Sequence, residues 1–160
     1  MTIKAIAIIV VCTNNNEGMT TMTEPNFDKC LYFAVSKLNR TITRIAEEEF
    51  ASLGLSPTYA FLLMLVNSRP GITPTELSEK LFVTPSTITR FLDKLESKGL
   101  LSRRGEGKRI CVQPTEKSLG LQESLDAAWA GLLPRYSESL GEDTCRELAR
   151  LTNEAAAKIR

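Results

Sequence analysis

Histidine is missing from all 160 residues. That removes imidazole general bases, Ser-His-Asp relays and the usual zinc ligand sets together. The four cysteines, at positions 12, 30, 111 and 145, stand far apart with no CxxC or other metal-ligand spacing. No metal and no cofactor is therefore expected, and a reduced, cytoplasmic chain is the simplest account. There is no Gly-rich phosphate loop and no recognisable pair of catalytic acids, so the chain is read as something other than an enzyme. An apolar run from Ile3 to Cys12, broken by Lys4, falls well below the roughly 20 residues that a bilayer span requires. Ile9-Val10-Val11 before Cys12 offer no small-residue cleavage site. No membrane partner is expected. Net charge is only +1, so the total says nothing for or against nucleic acid. Its distribution says more. Residues 66–118 hold ten Lys/Arg against six Asp/Glu, a local balance of +4, while the remainder sums to −3.

What is present centres on residues 72–99. Thr73 is placed to cap a helix that opens Pro74-Thr75-Glu76, with Leu77 and Leu81 on one face. Thr84 caps a second, Pro85 suits its first position because the missing N–H has no intrahelical partner there, and Gly99 stops it. Ile88, Leu92 and Leu95 make its buried stripe, with Phe91 at the margin. The opposite side carries Ser86, Thr87, Arg90, Lys94 and Ser97. So brief a connection forces the helices to cross steeply, the helix-turn-helix arrangement. Small hydroxyls and an arginine on the second helix are the chemistry that enters a DNA major groove. Next come a strand at 100–104, a tight turn at Gly105-Glu106-Gly107 and a returning strand at 108–113. A basic hairpin in this place is a wing, and Ile72 is expected to add a short strand beside it.

With these residues the chain resembles the MarR family of bacterial winged-helix transcriptional regulators. The resemblance is carried by Thr75-Glu76-Leu77-Ser78-Glu79-Lys80-Leu81, by Thr84 to Glu96, by Lys98 to Arg104 and by Thr115-Glu116-Lys117-Ser118. It runs from about residue 27 to the end. The fold class is mainly α with a small β-hairpin wing: a winged helix-turn-helix with N- and C-terminal dimerisation helices. Residues 1–22 are read as an N-terminal extension without a part in function, and 23–160 as one MarR-like domain. Within it, 55–114 form the DNA-binding lobe. By the resemblance, 27–53 and 115–160 supply the dimerisation helices.

The first helical pattern, 27–53, repeats apolar residues at Leu31, Val35, Leu38, Ile42, Ile45 and Phe50. A helix from Pro57 through Val66 is apolar enough to be buried on most sides. A further helix is expected from Pro114 to about Gly131, broken or kinked at Pro134 before continuing to Leu140. Gly141 then opens a last helix. Leu119, Leu125, Leu132, Leu133, Leu140, Leu148, Leu151 and Ile159 exceed what one small core needs. The resemblance implies a homodimer reading a pseudo-palindromic double-stranded operator, with half-sites about 34 Å apart. It also implies a repressor relieved by a small aromatic ligand in a crevice for which Phe33, Phe61, Met64 and Trp129 are candidates. Core packing is the plainer role for all four.

The candidate DNA-binding residues are Thr84, Ser86, Thr87, Thr89, Arg90 and Lys94 on the second helix, and Arg103, Lys108 and Arg109 on the wing. The hydroxyls suit base edges or phosphates, and the positive end of the helix favours phosphate. Arg90 suits a guanine, a phosphate, or an internal pair with Asp93 or Glu96. Many relatives carry Asp-x-Arg at the wing tip. Here Glu106 and Lys108 stand in those positions, and the tip is shorter. Lys108 or Arg109 reaches either a minor groove or phosphate alone, while Arg103 and Arg104 are phosphate contacts at most. One branch of the family senses peroxide through a cysteine in the first helix. Cys30 stands about two residues later, a helical rotation of about 200°, and a structural thiol is the alternative to thiol-based sensing. A winged-helix protein-interaction module without DNA is the other reading kept open.

Overall fold

Helix α1, Leu31–Phe50, follows a 3₁₀ turn at Phe27–Lys29 and runs on through a second, Ala51–Leu53. This is a computed structural model, and it describes residues 26–107 and 109–159. Gly54, left-handed at φ +62°, ends the first segment. The next helix, α2 (Pro57–Ser68), has proline at its first position and buries Ala60, Leu62, Leu63 and Val66 completely. That is the interior helix the apolar run predicts. Its neighbour α3 (Pro74–Leu81) opens on a capping box: the Glu76 N–H donates to Thr73 Oγ1 (3.3 Å) while the Thr73 N–H donates to the Glu76 carboxylate (2.9 Å). Helix α4 spans Pro85–Ser97 and buries Ile88, Leu92 and Leu95 at 1% exposure or less. Those three, with Leu77 of α3, Phe50 of α1 and the buried residues of α2, form one continuous core.

The hairpin follows. Strand β1 (Leu101–Glu106) pairs antiparallel with β2 (Arg109–Pro114), from Leu101↔Pro114 to Glu106↔Arg109. Ile72 joins as expected, bridging Val112 through paired backbone bonds of 2.9 Å on either side. The turn differs from expectation. The strands extend to Glu106 and Arg109, so the chain reverses between them, at Gly107, and not over 105–107. Gly107 at φ +63° supplies the positive φ that a two-residue hairpin needs at its first central position.

Beyond the wing, the expected helix from 114 is divided. A single turn, α5 (Glu116–Leu119), stops at Gly120, and α6 (Gln122–Leu140) then runs unbroken past Pro134. The interruption falls at Gly120-Leu121 and not at Pro134, around which α6 is held along α1. Leu132 is buried. Arg135 bonds Glu49 at 2.6 Å and Glu48 at 2.7 Å, and the Tyr136 hydroxyl donates to the Ile42 carbonyl at 3.3 Å. Tertiary packing outweighs the one missing N–H. The last helix, α7 (Glu142–Lys158), has acids in its first turn and packs on α6.

Two features divide the fold functionally. Only the C-terminal half of the α1 stripe is covered: Ala46 and Phe50 are buried, whereas Leu31, Tyr32, Phe33 and Val35 are exposed. Leu133 and Leu140 of α6 and Leu151 of α7 are exposed as well. The second feature is a polar knot joining α2 to α5 and α6. The Ser118 hydroxyl, fully buried, donates to Asn67 Oδ1 at 2.6 Å. Asn67 Nδ2 donates to the Ser118 carbonyl (3.1 Å) and to Gln122 Oε1 (2.8 Å). Among the described residues no single helix is long and apolar enough to cross a membrane.

Ser118→Ala leaves Asn67 Oδ1 without its donor in a part-buried site. Unfolding free energy, measured in urea at fixed protein concentration, should fall by about 1–3 kcal/mol; an unchanged midpoint would mean that the knot contributes nothing.

Candidate nucleic-acid interface

The turn from α3 to α4 is made by Phe82 and Val83. The Val83 N–H donates to the Ser78 carbonyl (3.2 Å), and the Ser78 hydroxyl donates to the Val83 carbonyl (2.6 Å). This double tie fixes the crossing of the two helices. It presents the N-terminus of α4 with a cluster of hydroxyls. Thr84 Oγ1 lies 3.1 Å from Ser86 Oγ and 2.9 Å from Thr87 Oγ1, and accepts the Thr87 N–H at 3.4 Å. Thr89 donates back to the Pro85 carbonyl (3.0 Å), which leaves its lone pairs facing outward. Thr84, Ser86, Thr89, Arg90 and Lys94 are exposed, and Thr87 is half-buried at the margin.

One of the three roles considered for Arg90 is removed. Asp93 and Glu96 are taken by Arg103, reaching across from β1. The Arg103 guanidinium lies 2.7 Å from Asp93 Oδ1 and 2.5 Å from Glu96 Oε2, with Nε donating to the same Glu96 oxygen at 2.9 Å. The Arg103 backbone N–H donates to the other oxygen of Glu96 at 2.9 Å. The hydrogen bonds from Arg103 hold the Glu96 carboxyl below its ordinary value, and the two carboxylates raise the Arg103 guanidinium. Among the described residues no hydrogen bond or ion pair engages the Arg90 or Lys94 head group. Arg103, expected to meet phosphate at most, is a strut between the wing and α4, its Nε and Nη2 engaged by the two carboxylates. The i, i+3 acids at 93 and 96 are the available signal, since their mutual repulsion, a few tenths of a kcal/mol, is relieved by a cation from a neighbouring element.

A sequence model of the MarR family matches residues 55–106, the segment holding this helix-turn-helix and the first wing strand. The HTH-type transcriptional repressor YetL of Bacillus subtilis is 33% identical over 117 residues, covering 68% of this chain and 70% of that protein. The chain belongs to the MarR family of transcriptional regulators. Solved structures agree on the fold. The transcriptional repressor CouR, bound to p-coumaroyl-CoA, matches 84% of this chain and 97% of its own with a TM-score of 0.75 at 21% identity. A Mycobacterium tuberculosis MarR family protein in complex with salicylic acid matches 78% and 95% with a TM-score of 0.58, also at 21% identity.

On this MarR family chain the remaining candidates are spread unevenly. Arg104 and Arg109 are exposed on the wing; at the start of α3 the Thr73 hydrogen bonds hold the Glu76 carboxyl below its ordinary value, with Arg69 and then Arg109 adding to this. Lys108 lies outside the described residues. Of the four crevice candidates, Phe61 and Trp129 meet edge to face at 5.4 Å, and Phe61 meets Phe50 likewise at 5.3 Å. Met64 is one turn further along α2, half-buried against the core. Phe33 does not join them. It is 17 residues from Phe50 on the same helix, about 25 Å along its axis, and packs on Phe27 (4.4 Å) and Tyr32 (5.3 Å). There it lines an open groove of about 490 Å³ with Lys37, Leu38 and Arg40. Cys30 is exposed at the start of α1, and its thiol makes no capping bond.

Because folding lowers the Glu96 carboxyl, the strut contributes stability above the ordinary value of 4.5 and loses it as pH falls through the folded value. Thermal melts of wild type and Glu96→Gln, taken from neutral pH down through that range, should converge. A gap that stays constant into acid would show that the carboxylate charge is irrelevant.

Proposed function

We propose that this chain is a homodimeric repressor that reads a pseudo-palindromic double-stranded operator with α4 in the major groove. The observation that carries the reading is the division of charge on α4. Its acids face the wing and are occupied by Arg103, while Arg90 and Lys94 stand exposed beside a hydroxyl cluster at the helix N-terminus. Arg90 serves as the base-reading cation, bidentate to a guanine, and Thr84, Ser86, Thr87 and Thr89 divide between base edges and phosphates. Arg109 and Lys108 extend the contact from the wing. The dimer is supported by the exposed apolar residues of α1, α6 and α7, since contiguous patches of that kind are uncommon on monomers. Regions 27–53 and 115–160 supply that interface and 55–114 the DNA-binding lobe. Pairing two lobes about a two-fold axis multiplies the modest selectivity of one helix.

In a mobility-shift assay on duplexes selected from random sequence, wild type should bind with steep salt dependence and two protomers per site. Arg90→Ala should lose about 1–3 kcal/mol of discrimination at one position of each half-site. Selection that recovers the same preferred bases with Arg90→Ala would take that residue out of the readout.

Relief by a small aromatic ligand is the second part of the reading. Its support is the Phe61–Trp129 contact, which lies where α2 of the DNA-binding lobe meets α6, with Trp129 still 55% exposed. A ligand seated there biases the lobe spacing only by binding one arrangement better than the other. Trp129 is the single tryptophan, so its fluorescence reports directly. Titration with salicylate or a phenolic acid should change that emission and release the operator in parallel. Unaltered emission with operator still bound would place no such ligand there.

A further inference from the structure

The C-terminus of α4 is closed from two directions. From its own chain, the Leu100 N–H donates to the Leu95 carbonyl (3.0 Å), the Gly99 N–H to Glu96 (2.8 Å) and the Ser97 hydroxyl to Lys94 (2.8 Å). Gly99, left-handed at φ +68°, makes that closure possible. The carbonyls of Lys98 and Gly99 are met instead by side chains from beyond the wing. The Lys117 ammonium donates to the first at 2.9 Å and the Thr115 hydroxyl to the second at 2.8 Å. Both bonds are exposed, so water would serve either carbonyl nearly as well, and ordering a lysine chain costs rotamer entropy. Their contribution to stability is therefore small. What water cannot supply is a fixed position. Helix α5 is anchored on its own account, because Ser118 is buried and bonded to Asn67 of α2. Lys117 thus ties the end of α4 to a point that the core already holds.

Arg90 and the hydroxyl cluster occupy the opening turns of α4, and the Lys98 carbonyl lies about 20 Å from the helix start. The start is pinned by the Ser78–Val83 tie, and one flank by Arg103. A helix held only there still swings about its start, by roughly 3° for each ~1 Å of shift at the far end. Bidentate bonds to a base edge tolerate little misalignment, whereas phosphate contacts tolerate more. We infer that Lys117 is a positioning residue for operator discrimination: it fixes the angle of α4 through the Lys98 carbonyl and touches no nucleotide. The inference rests on the DNA-binding reading above. It gives one cation of the basic segment 66–118 a role other than neutralising phosphate.

Lys117→Met keeps the length of the side chain and removes the donor, and Lys117→Arg keeps a cation that can reach the same carbonyl. Affinities for a duplex selected by the wild-type protein and for a scrambled duplex are measured over a range of salt, with thermal melts beside them. Lys117→Met should lose at least about fivefold in the ratio of the two affinities. Its binding to the scrambled duplex should stay within about twofold of wild type, and the slope of log affinity against log salt should be unchanged. Lys117→Arg should recover most of the ratio. If Lys117 met phosphate instead, both duplexes would weaken together and the slope would shrink by about 1 for each protomer; that result overturns the inference. A Lys117→Met protein that melts lower yet keeps the full ratio overturns it too, since the bond would then be structural only. Either outcome leaves the DNA-binding reading standing. If the wild-type protein selects no duplex, both fall.

Discussion

A single guanidinium holds the recognition helix and the wing in one frame. Arg103 leaves β1 to meet Asp93 and Glu96 on α4, and its own backbone N–H shares the Glu96 carboxylate, so strand and helix are fixed at both side-chain and main-chain level. An isolated exposed ion pair contributes little, because solvent screens it and two long side chains must be ordered. Here one rigid fork serves two carboxylates, and Arg103 is only partly exposed, which reduces the entropy lost per bond. The consequence reaches beyond stability. With the acids of α4 drawn toward the wing, what α4 shows to solvent at its opening turns is hydroxyl and cation.

The same economy operates where the two lobes meet. The Thr115 hydroxyl donates to the Gly99 carbonyl and the Lys117 ammonium to the Lys98 carbonyl, so α5 is tied to the end of α4. Through Ser118 it is tied to α2 as well. Only Gly120 and Leu121 separate this anchored turn from the long α6.

Much of this was legible in the chain because it depends on local rules. Thr73 with Glu76, Thr84 with Pro85, and the spacing of Ile88, Leu92 and Leu95 specify their helices without help from elsewhere. What was not legible depends on long-range partners. Proline at 134 reads as a break until Arg135, Tyr136 and Leu132 are seen to hold α6 against α1 on either side. Arg103 reads as one cation among several until the hairpin register aims it back at α4. The hairpin turn was misplaced because three residues, Gly105-Glu106-Gly107, offered two glycines, and only the Glu106↔Arg109 pairing shows which one turns. The separation of Phe33 from Phe61 and Trp129 within one protomer depends on distance along α1, which a crevice implied by resemblance does not specify.

A net charge of +1 looks unpromising for a nucleic-acid surface until the pairing of charges is followed. Away from α4 and the wing, acids and bases largely neutralise one another in place. Arg135 sits between Glu48 and Glu49, Arg150 between Glu147 and Glu154, and Arg146 pairs with Glu142. These pairs fall on α1, α6 and α7. On the helix-turn-helix Glu76 is engaged by its cap and Arg69, and Asp93 and Glu96 by Arg103, while Glu79 stays exposed on α3. Arg90 and Lys94 are left with their charge facing solvent, and Arg104 is exposed on the wing. Field at a surface follows unpaired charge within about a Debye length, roughly 8–10 Å at ordinary salt, and the whole-molecule total does not enter it. A nearly neutral chain can thus present one strongly positive face, provided that its carboxylates are spent internally.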